Sequence, residues 1–397
     1  MARSAKPDPW GTPPWKVNFV PLRRKLPAHV DFAIIGGGFT GLAAAAWLRL
    51  LAPKKSVAVF EATRVGAGAS GRTGGMVLAE TAAGNQPGLG DVLAGFRSIL
   101  EKLKVRCDLD LNGAWEIARQ QTSGKVKHAR SAIAWNDSGT LRVVKEVPGG
   151  TLDPGKLVAG LARAAQRTGA HIYENHRVQH VAWSTAPELH LITSRGDTRK
   201  ITATKIFFAS NALSLPQAGL TGMHPRLTLA VLTRPVSERV LAAIGLAQRK
   251  PFYTVDFPYL WGRVRADRSI VWGAGLVQSP DANDLELVDI TAEESAAAFD
   301  RLEDRVSHLH PALENIKFSR RWGGPILFRD SWKPVFDWHP ASVVTRKDDV
   351  TDEIWRNAVV LGAYAGHGVA LSSYLGTWAA EVLLQQRQLP KWSALQT

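Results

Sequence analysis

The stretch Asp31-Phe-Ala-Ile-Ile-Gly-Gly-Gly-Phe-Thr-Gly-Leu42 decides the fold of this chain of 397 residues. An apolar strand leads into the pattern Gly36-x-Gly38-x-x-Gly41, and an alanine-rich helix follows that we expect to end near Pro53. In this pattern the first glycine allows a tight turn, the second lets the backbone approach a pyrophosphate, and the third lets the helix pack on the strand. The free N–H groups at the start of the helix attract phosphate.

A second apolar strand, Val57-Ala-Val-Phe60, runs directly into an acid, Glu61. Glu61 follows Gly41 by 20 residues, the usual place for a carboxylate that accepts hydrogen bonds from a ribose. A glycine pattern alone is also typical of a merely tight turn. The strand, the helix, the second strand and the acid together predict a dinucleotide-binding βαβ unit.

A glycine-rich run follows, Arg64-Val-Gly-Ala-Gly-Ala-Ser-Gly-Arg-Thr-Gly-Gly-Met76. It cannot form a strand, because glycine offers almost nothing to pack. We interpret it as a second backbone cradle for the ribityl and pyrophosphate parts of a long cofactor. This favours FAD over NAD, since NAD-binding chains of this type usually proceed directly into further βα units.

The segment Gly68-Ala-Ser-Gly-Arg-Thr-Gly-Gly75 resembles the GASGRNGG signature of γ-glutamylputrescine oxidoreductase-like members of the D-amino-acid-oxidase-like (DAO) family. Thr73 replaces the usual Asn, which keeps a hydrogen-bonding side chain but alters its reach. Three later stretches fit the same resemblance, and together they span most of the chain. They are residues 149–178, Lys205-Ile-Phe-Phe-Ala-Ser-Asn-Ala212 and Asn357-Ala-Val-Val-Leu-Gly-Ala-Tyr-Ala-Gly-His-Gly-Val-Ala-Leu-Ser372.

The resemblance implies a set of FAD-binding positions. In this family the residue at Val178 passes under the adenine through its backbone, and the turn at Asn211 lies near the flavin. The implied positions are Gly36, Gly38, Phe39, Thr40, Gly41, Glu61, Ala69, Ser70, Arg72, Thr73, Gly74, Gly75, Met76, Val178, Asn211, Gly366, His367, Gly368 and Val369. Noncovalent attachment is expected, because Cys107 lies outside the flavin motifs and residues 70–76 lack the His of covalently flavinylated relatives.

The turn at Gly366, His367, Gly368 and Val369 is the candidate for a direct effect on reactivity. A reduced flavin carries negative charge near N1 and the C2 carbonyl, and free N–H groups at a helix start would stabilise that charge. A strand-to-helix turn packed in a core is the alternative. The sequence assigns no other catalytic group.

The chain is long enough for two domains, and its composition, 45% hydrophobic and 21% charged, is typical of a globular enzyme. The resemblance implies an α/β fold (α+β overall), with a Rossmann-like FAD-binding domain and a discontinuous, mostly antiparallel-sheet substrate domain. We predict an N-terminal extension over 1–27, the FAD-binding domain over 28–85, 149–215 and 341–397, and the substrate domain over 86–148 and 216–340. Strands are expected over 114–119, 228–236, 260–264, 269–276 and 317–322, and helices over 92–104 and 292–309.

The single cysteine, Cys107, suits a reducing cytoplasm and is expected to be buried. No metal site is predicted, because there is no thiolate cluster and His176 and His180 lie in a strand-like run. Apolar stretches are far shorter than a membrane span, and residues 1–30 lack the apolar core of a signal peptide. The net charge of +14 is dispersed, so a nucleic-acid partner is not expected from it.

Substrate-binding candidates come from the second substrate-domain segment. The stretch from Trp322-Gly-Gly to Pro334 resembles the family segment beside the flavin, which makes Trp322 and Trp332 candidates for substrate contact. Arg263, with Arg265, could hold a carboxylate or belong to a solvated strand face. After Pro334 the family usually has a Gly that is missing from Val335-Phe-Asp-Trp338, so the sequence does not specify the substrate.

The resemblance implies an FAD-dependent oxidoreductase that oxidises a C–N bond of a small-molecule amine or amino acid. Hydride would pass to flavin N5, and the imine would be hydrolysed. An alternative is a flavoprotein that modifies an amine on RNA or on a protein partner, and a nonenzymatic flavin-binding role is a weaker one. The sequence leaves open whether the enzyme is an oxidase or a dehydrogenase, and its oligomeric state.

Overall fold

The computed structural model describes residues 8–120, 133–213, 215–279, 281, 284–348 and 351–393. The helices are α1 Phe39–Leu51, α2 Val92–Lys102, α3 Pro154–Thr168, α4 Glu238–Ala243, α5 Glu293–His308 and α6 Gly368–Leu383. The strands are β1 His29–Ile35, β2 Val57–Phe60, β3 Met76–Leu78, β4 Ala114–Gln120, β5 Trp135–Asn136, β6 Thr140–Val147, β7 Gly149–Thr151, β8 His171–Tyr173, β9 His176–Ala182, β10 Glu188–Thr193, β11 Thr198–Phe208, β12 His224–Thr233, β13 Phe252–Thr254, β14 Trp261–Val264, β15 Ile270–Val277, β16 Phe318–Phe328, β17 Val335–Trp338, β18 Val343–Asp348, β19 Thr351–Arg356 and β20 Ala358–Gly362.

The first large sheet is the predicted Rossmann-like unit, with strand order β17-β20-β11-β1-β2-β8. Strand β1 pairs in parallel with both β2 and β11, and β20 pairs in parallel with β11. Strands β2 and β20 and the last residues of β1 and β11 are apolar and buried, because both faces of the parallel sheet are covered there. The hairpin of β9 and β10 extends from β11.

Helices α1, α3 and α6 cover one face of this sheet. The crossing of α1 and α6 is close, because a Cβ on Gly376 would lie 2.5 Å from the carbonyl oxygen of Thr40. This contact brings the N-terminal βαβ unit and the C-terminal helix into one core. The turn that precedes α6 also lies beside the start of α1, since Tyr364 Oη is 2.8 Å from Thr40 Oγ1.

The second large sheet has the order β16-β12-β15-β14-β13-β4-β6-β5 and is antiparallel except where β13 meets β4. Its core contains the fully buried rings of Trp135, Phe252 and Trp272, with Phe299 from α5 among them. The predicted strands and the long helix over 292–309 are confirmed to within a few residues. Strand β16 is longer than predicted, because the Trp322-Gly-Gly segment continues the pairing with β12 through Phe328.

The packing differs from the predicted boundaries at two places. Helix α2 and the residues up to Leu111 belong to the core of the parallel sheet, because Phe96, Ile99 and Leu100 contact that core instead of the antiparallel sheet. Strand β17 pairs with β20 of the parallel sheet, although the boundary at 340 assigned it to the substrate domain. The exact division into domains stays a prediction.

The predicted N-terminal extension is packed against the rest of the chain. Trp10 and Trp15 are buried, and Gly11 forms a bridge to Trp322. The carbonyl of Lys25 accepts a hydrogen bond from Tyr173 Oη at 3.0 Å. We call residues 8–27 the N-terminal strap. Within the described residues no helix is long and apolar enough to cross a membrane.

Candidate active site

A cavity of about 1840 Å³ lies between the two large sheets. One end is formed by the start of α1, Glu61 and the glycine-rich run, and the other by β4, β13, β14 and β16. All predicted FAD-binding positions line it except Gly41 and Gly75. Their direct contact with FAD stays a prediction.

The glycine motif is shaped as the sequence predicts. Gly36 has a φ of +111°, and a Cβ there would lie 2.7 Å from the carbonyl oxygen of Ala209. A Cβ on Gly41 would collide with the carbonyl of Gly36, so this glycine serves helix packing and does not line the cavity. Ser70 Oγ lies over the start of α1 and accepts a hydrogen bond from the N–H of Phe39 at 2.9 Å.

Glu61 lies at the end of β2 and faces the cavity. Its Oε2 accepts from the N–H of Gly37 at 2.8 Å, and its Oε1 accepts from the N–H of Thr63 at 3.0 Å. Burial raises the pKa of Glu61, and these hydrogen bonds oppose that rise. The carboxylate is thus fixed at the position where the βαβ pattern requires a ribose acceptor.

Arg72 was expected to contact FAD, but its guanidinium is occupied by protein groups. It forms an ion pair with Asp8 and donates to the carbonyls of Trp10, Gly11 and Gly323. Arg72 therefore holds the N-terminal strap against β16 beside the cavity. The sequence signal for this role was two tryptophans, Trp10 and Trp15, within a segment that otherwise looked like a linker.

The later motifs meet at the same cavity. Val178 lies on β9, and Asn211 follows β11 with a φ of +50°. The Oδ1 of Asn211 accepts from the N–H of Ala363 at 3.0 Å, which ties the end of β11 to the end of β20. Gly75, with a φ of +75°, packs near Leu152 and Pro154 and positions the glycine-rich run on α3.

The turn at the start of α6, residues 366–369, lines the cavity. Gly366 has a φ of +87°, and α6 begins at Gly368. His367 Nδ1 lies 3.3 Å from the carbonyl oxygen of Ala365, so Nδ1 donates and Nε2 is left as an acceptor. Burial lowers the pKa of His367, which keeps the ring neutral near pH 7. Tyr364 Oη lies 2.8 Å from Thr40 Oγ1 and so connects this turn to α1.

Three buried polar atoms of the cavity wall lack a hydrogen-bond partner among the residues that the structure describes: Ser210 Oγ, Ser372 Oγ and Trp10 Nε1. Such groups are normally satisfied in native proteins. Together with the glycine cradle and the exposed helix starts, they fit a long polar cofactor such as FAD in this cavity.

The three substrate-binding candidates lie in different surroundings. Trp332 stacks on Phe328 at 5.0 Å between ring centroids and lines the cavity. Trp322 is fully buried in the wall, with its Nε1 donating to the carbonyl of Arg72 at 2.9 Å. Arg263 is buried under the ring of Trp15, 5.3 Å from its guanidinium, so the alternative of a solvated face is wrong. Arg263 does not line the cavity, and its contact with a substrate carboxylate stays a prediction.

Glu80, Glu116 and Tyr253 also line the cavity, although the sequence suggested no role for them. Tyr253 Oη donates to Glu116 Oε1 at 2.9 Å, and the ring of Tyr253 lies 6.4 Å from that of His367. Trp261 lies directly over Gly74. For Glu116 the available signal was the alternation of β4, which places its side chain on the face opposite to the buried Trp115 and Ile117.

In the described part of the chain, no group of three or more His, Cys, Asp or Glu could hold a metal ion. Cys107 is buried, as expected, and burial raises its pKa to about 12. Its thiol is therefore unreactive at neutral pH.

Comparison with known proteins agrees with this geometry. The family described as DAO, FAD dependent oxidoreductase, matches residues 31–382, so the chain belongs to this family of FAD-dependent enzymes, which oxidise C–N bonds of amines and amino acids. Gamma-glutamylputrescine oxidoreductase of Escherichia coli (strain K12) is 25% identical over 89% of this chain and 83% of its own length. The predicted family, cofactor and enzyme class are confirmed.

Two solved structures have the same fold. Glycine oxidase from Geobacillus kaustophilus has a TM-score of 0.65 and 19% identity, over 91% of this chain and 96% of its own. L-Amino acid deaminase from Proteus myxofaciens, solved in complex with anthranilate, has a TM-score of 0.66 and 15% identity, over 94% of each chain. The predicted α/β fold class is thereby confirmed.

Proposed function

We propose that this chain oxidises the C–N bond of a small-molecule amine or amino acid in the cavity between the two sheets. One observation carries the proposal. The turns at the starts of α1 and α6, for which the sequence predicts cofactor binding, open into the same cavity that continues to the aromatic side chains of the antiparallel sheet. A substrate held there would lie between that sheet and the turn at Gly366.

When bound, FAD supplies the acceptor for a hydride, which carries the two electrons of the oxidation. The chain's own residues orient and insulate the reactants. Glu61 and the start of α1 would hold the ribose and pyrophosphate, while N–H groups at the start of α6 would favour negative charge on the ring. Trp261 and Trp332 would exclude water from the reacting carbon, and the neutral His367 can accept a hydrogen bond through Nε2.

The surroundings of the cavity support a small molecule over the alternative of an amine on RNA. Large apolar side chains, Val255, Phe257, Tyr259 and Leu276, line the cavity and remain exposed, and Glu80 lies among its acids. An RNA backbone is attracted to basic grooves and repelled by carboxylates. The buried Cys107, the only cysteine of the chain, supports a reducing compartment such as the cytoplasm.

The test is anaerobic titration of the FAD-bound protein with a panel of amines and amino acids, followed by the loss of flavin absorbance. At least one member of the panel should bleach the flavin, and admitting air or an artificial acceptor distinguishes an oxidase from a dehydrogenase. A protein that dithionite reduces, but no amine or amino acid does, would contradict the proposal. Reduction only by an amine carried on RNA would support the alternative.

The state of the cofactor is checked in the same preparation. Purified protein should carry about one FAD per chain, because the cavity has one glycine turn, at the start of α1, and one glycine-rich run. Acid precipitation should release the flavin into the supernatant, as expected for noncovalent binding. Flavin that stays in the pellet would contradict noncovalent attachment, but it would not contradict the presence of FAD.

A further inference from the structure

The cavity end formed by the antiparallel sheet contains two carboxylates. Glu116 on β4 is the register partner of Tyr253 on β13 and accepts its hydroxyl hydrogen at 2.9 Å. Glu80 follows β3 and also lines the cavity. Burial raises the pKa of Tyr253, and the negative charges of Glu116 and Glu80 add to that rise. The ring of Tyr253 lies 6.4 Å from that of His367, and the negative charge of Glu80 partly opposes the fall in the pKa of His367, so the two carboxylates lie at the part of the cavity next to His367.

The basic side chains that line the described cavity either form ion pairs with other protein groups or lie among the predicted cofactor-binding loops. Arg72 is paired with Asp8, Arg177 is paired with Glu286, and Arg64 belongs to the glycine-rich run. Arg263 is covered by Trp15. Among the described residues, the end with Glu116 thus presents acids and aromatic rings, and no basic side chain is placed there to bind a substrate carboxylate.

The nitrogen that reacts must be uncharged, whereas a nearby carboxylate favours the charged form of an amine. Oxidation needs a neutral amine, whose lone pair forms the C=N bond as hydride leaves the adjacent carbon. A carboxylate beside that nitrogen would stabilise the protonated amine, which has no free lone pair. Carboxylates suit a second nitrogen that stays charged, and aromatic faces such as Trp261 and Tyr259 attract alkylammonium groups in the same way.

We propose that the substrate is an amine with a second, positively charged nitrogen, a diamine or longer polyamine, and that Glu116 and Glu80 bind the charged nitrogen. This inference rests on the proposed function. The other, uncharged nitrogen faces the turn at His367. The carbon bonded to this nitrogen would give up a hydride to FAD there. The resulting protonated imine takes up water and separates into an aldehyde and ammonia or a shorter amine.

The experiment uses three probes with the same six-carbon chain: 1,6-diaminohexane, hexylamine and 6-aminohexanoate. Their far ends are cationic, apolar and anionic. Binding to the FAD-bound protein is measured by calorimetry, and flavin reduction is measured anaerobically by stopped flow. The diamine should bind about tenfold or more tightly than hexylamine, and 6-aminohexanoate should bind most weakly.

Variants assign the effect to the carboxylates. Glu116→Gln should weaken diamine binding by about ten- to a hundredfold and leave hexylamine binding unchanged, because only the diamine loses a charged partner. Glu80→Gln should act in the same direction. Glu146→Gln is the matched control: this glutamate on β6 pairs with Lys250 and does not line the cavity.

The outcomes separate this inference from the proposed function. Equal binding of hexylamine and the diamine, the tightest binding by 6-aminohexanoate, or an equal loss for both amines in Glu116→Gln would overturn the inference. In each of these cases flavin reduction by hexylamine or an amino acid would still support C–N oxidation. Preferential diamine binding without flavin reduction by any amine or amino acid would support the binding site and contradict the proposed function.

Discussion

Glu61 shows how one carboxylate can serve both the fold and the cofactor. It accepts hydrogen bonds from the N–H groups of Gly37 and Thr63, and so connects the glycine turn to the end of β2. The same carboxylate lines the cavity where the βαβ pattern places a ribose. Its replacement should therefore affect FAD binding more than the chemistry that follows.

We expect Glu61→Ala to weaken FAD binding by roughly one to two orders of magnitude, because a hydrogen bond to a charged group contributes about 1.5–3 kcal/mol. Equilibrium dialysis of the apoprotein against FAD measures the change. Glu188→Ala is the control, since its carboxylate pairs with Lys200 and does not line the cavity. Equal FAD affinity in Glu61→Ala and the wild type would place the ribose elsewhere.

At the scale of the element, the start of α6 depends on its packing against Tyr364. A Cβ on Gly368 would lie 3.3 Å from the Cβ of Tyr364, whose hydroxyl lies 2.8 Å from Thr40 Oγ1 on α1. A larger side chain at this glycine would move the ring or the turn. The N–H groups at the helix start would then lose their orientation toward the cavity.

Gly368→Val should slow flavin reduction more than it weakens substrate binding, because the lost stabilisation acts mainly once negative charge develops. It should also lower the flavin reduction potential. Stopped-flow reduction and potentiometry on variant protein of measured FAD content check both. Tyr364→Phe is the comparison that removes only the hydroxyl. If Gly368→Val protein with full FAD content has the normal flavin reduction rate and reduction potential, this turn has only a structural role.

The N-terminal strap is a second element that bears on the cofactor. Trp15 donates from Nε1 to the carbonyl of Gly71 at 2.9 Å, and its ring meets Trp322 edge-on at 5.9 Å. Gly71 belongs to the glycine-rich run. The strap therefore supports the predicted FAD cradle from behind.

Trp15→Ala should lower the free energy of unfolding by about 3–5 kcal/mol, the usual cost of truncating a buried Trp or Phe. It should also speed the release of FAD, because Gly71 loses a partner. Urea unfolding and dilution-induced FAD release measure the two effects. Val20→Ala, at an 84% exposed position of the same strap, should change neither. Normal FAD release from a destabilised Trp15→Ala protein would separate the strap from the cofactor site.

At the scale of the whole molecule, buried histidines link stability to pH. His339 donates from Nε2 to the carbonyl of Gln217 at 3.0 Å, and its Nδ1 accepts from the N–H of Ala341 at 3.1 Å. Protonation would remove that acceptor. Burial lowers the pKa of His339, and it is also the main cause of the lowered pKa of His367.

Because these histidines bind protons more readily in the unfolded chain, stability should be fully present above about pH 6.5, their ordinary pKa, and should fall as the pH decreases below it. Urea unfolding at several pH values between 7.5 and 5.5 measures the slope. His339→Gln should flatten it, whereas His308→Gln, at an exposed helix position, should leave it unchanged. If the free energy of unfolding depends on pH equally in the wild type and in His339→Gln, His339 does not contribute to the loss of stability in acid.

The amino-acid sequence by itself determined the βαβ unit, the position of Glu61, the helix start at Gly368 and the approximate bounds of most strands. These features are local, because a turn, a helix start or an apolar strand is encoded within a few consecutive residues. The family motifs were local as well, and they led to FAD without any knowledge of how the sheets pack.

Only the tertiary structure decided the features that join distant segments. The pairing of Tyr253 with Glu116 spans 137 residues, and the bond from Arg72 to Gly323 spans 251. The burial of Arg263 under Trp15 and the packing of α2 on the parallel-sheet core are of the same kind. A single sequence records which side chains alternate on a strand. It does not record which other segment covers them, and that covering decides whether a charged side chain binds a ligand or the protein itself.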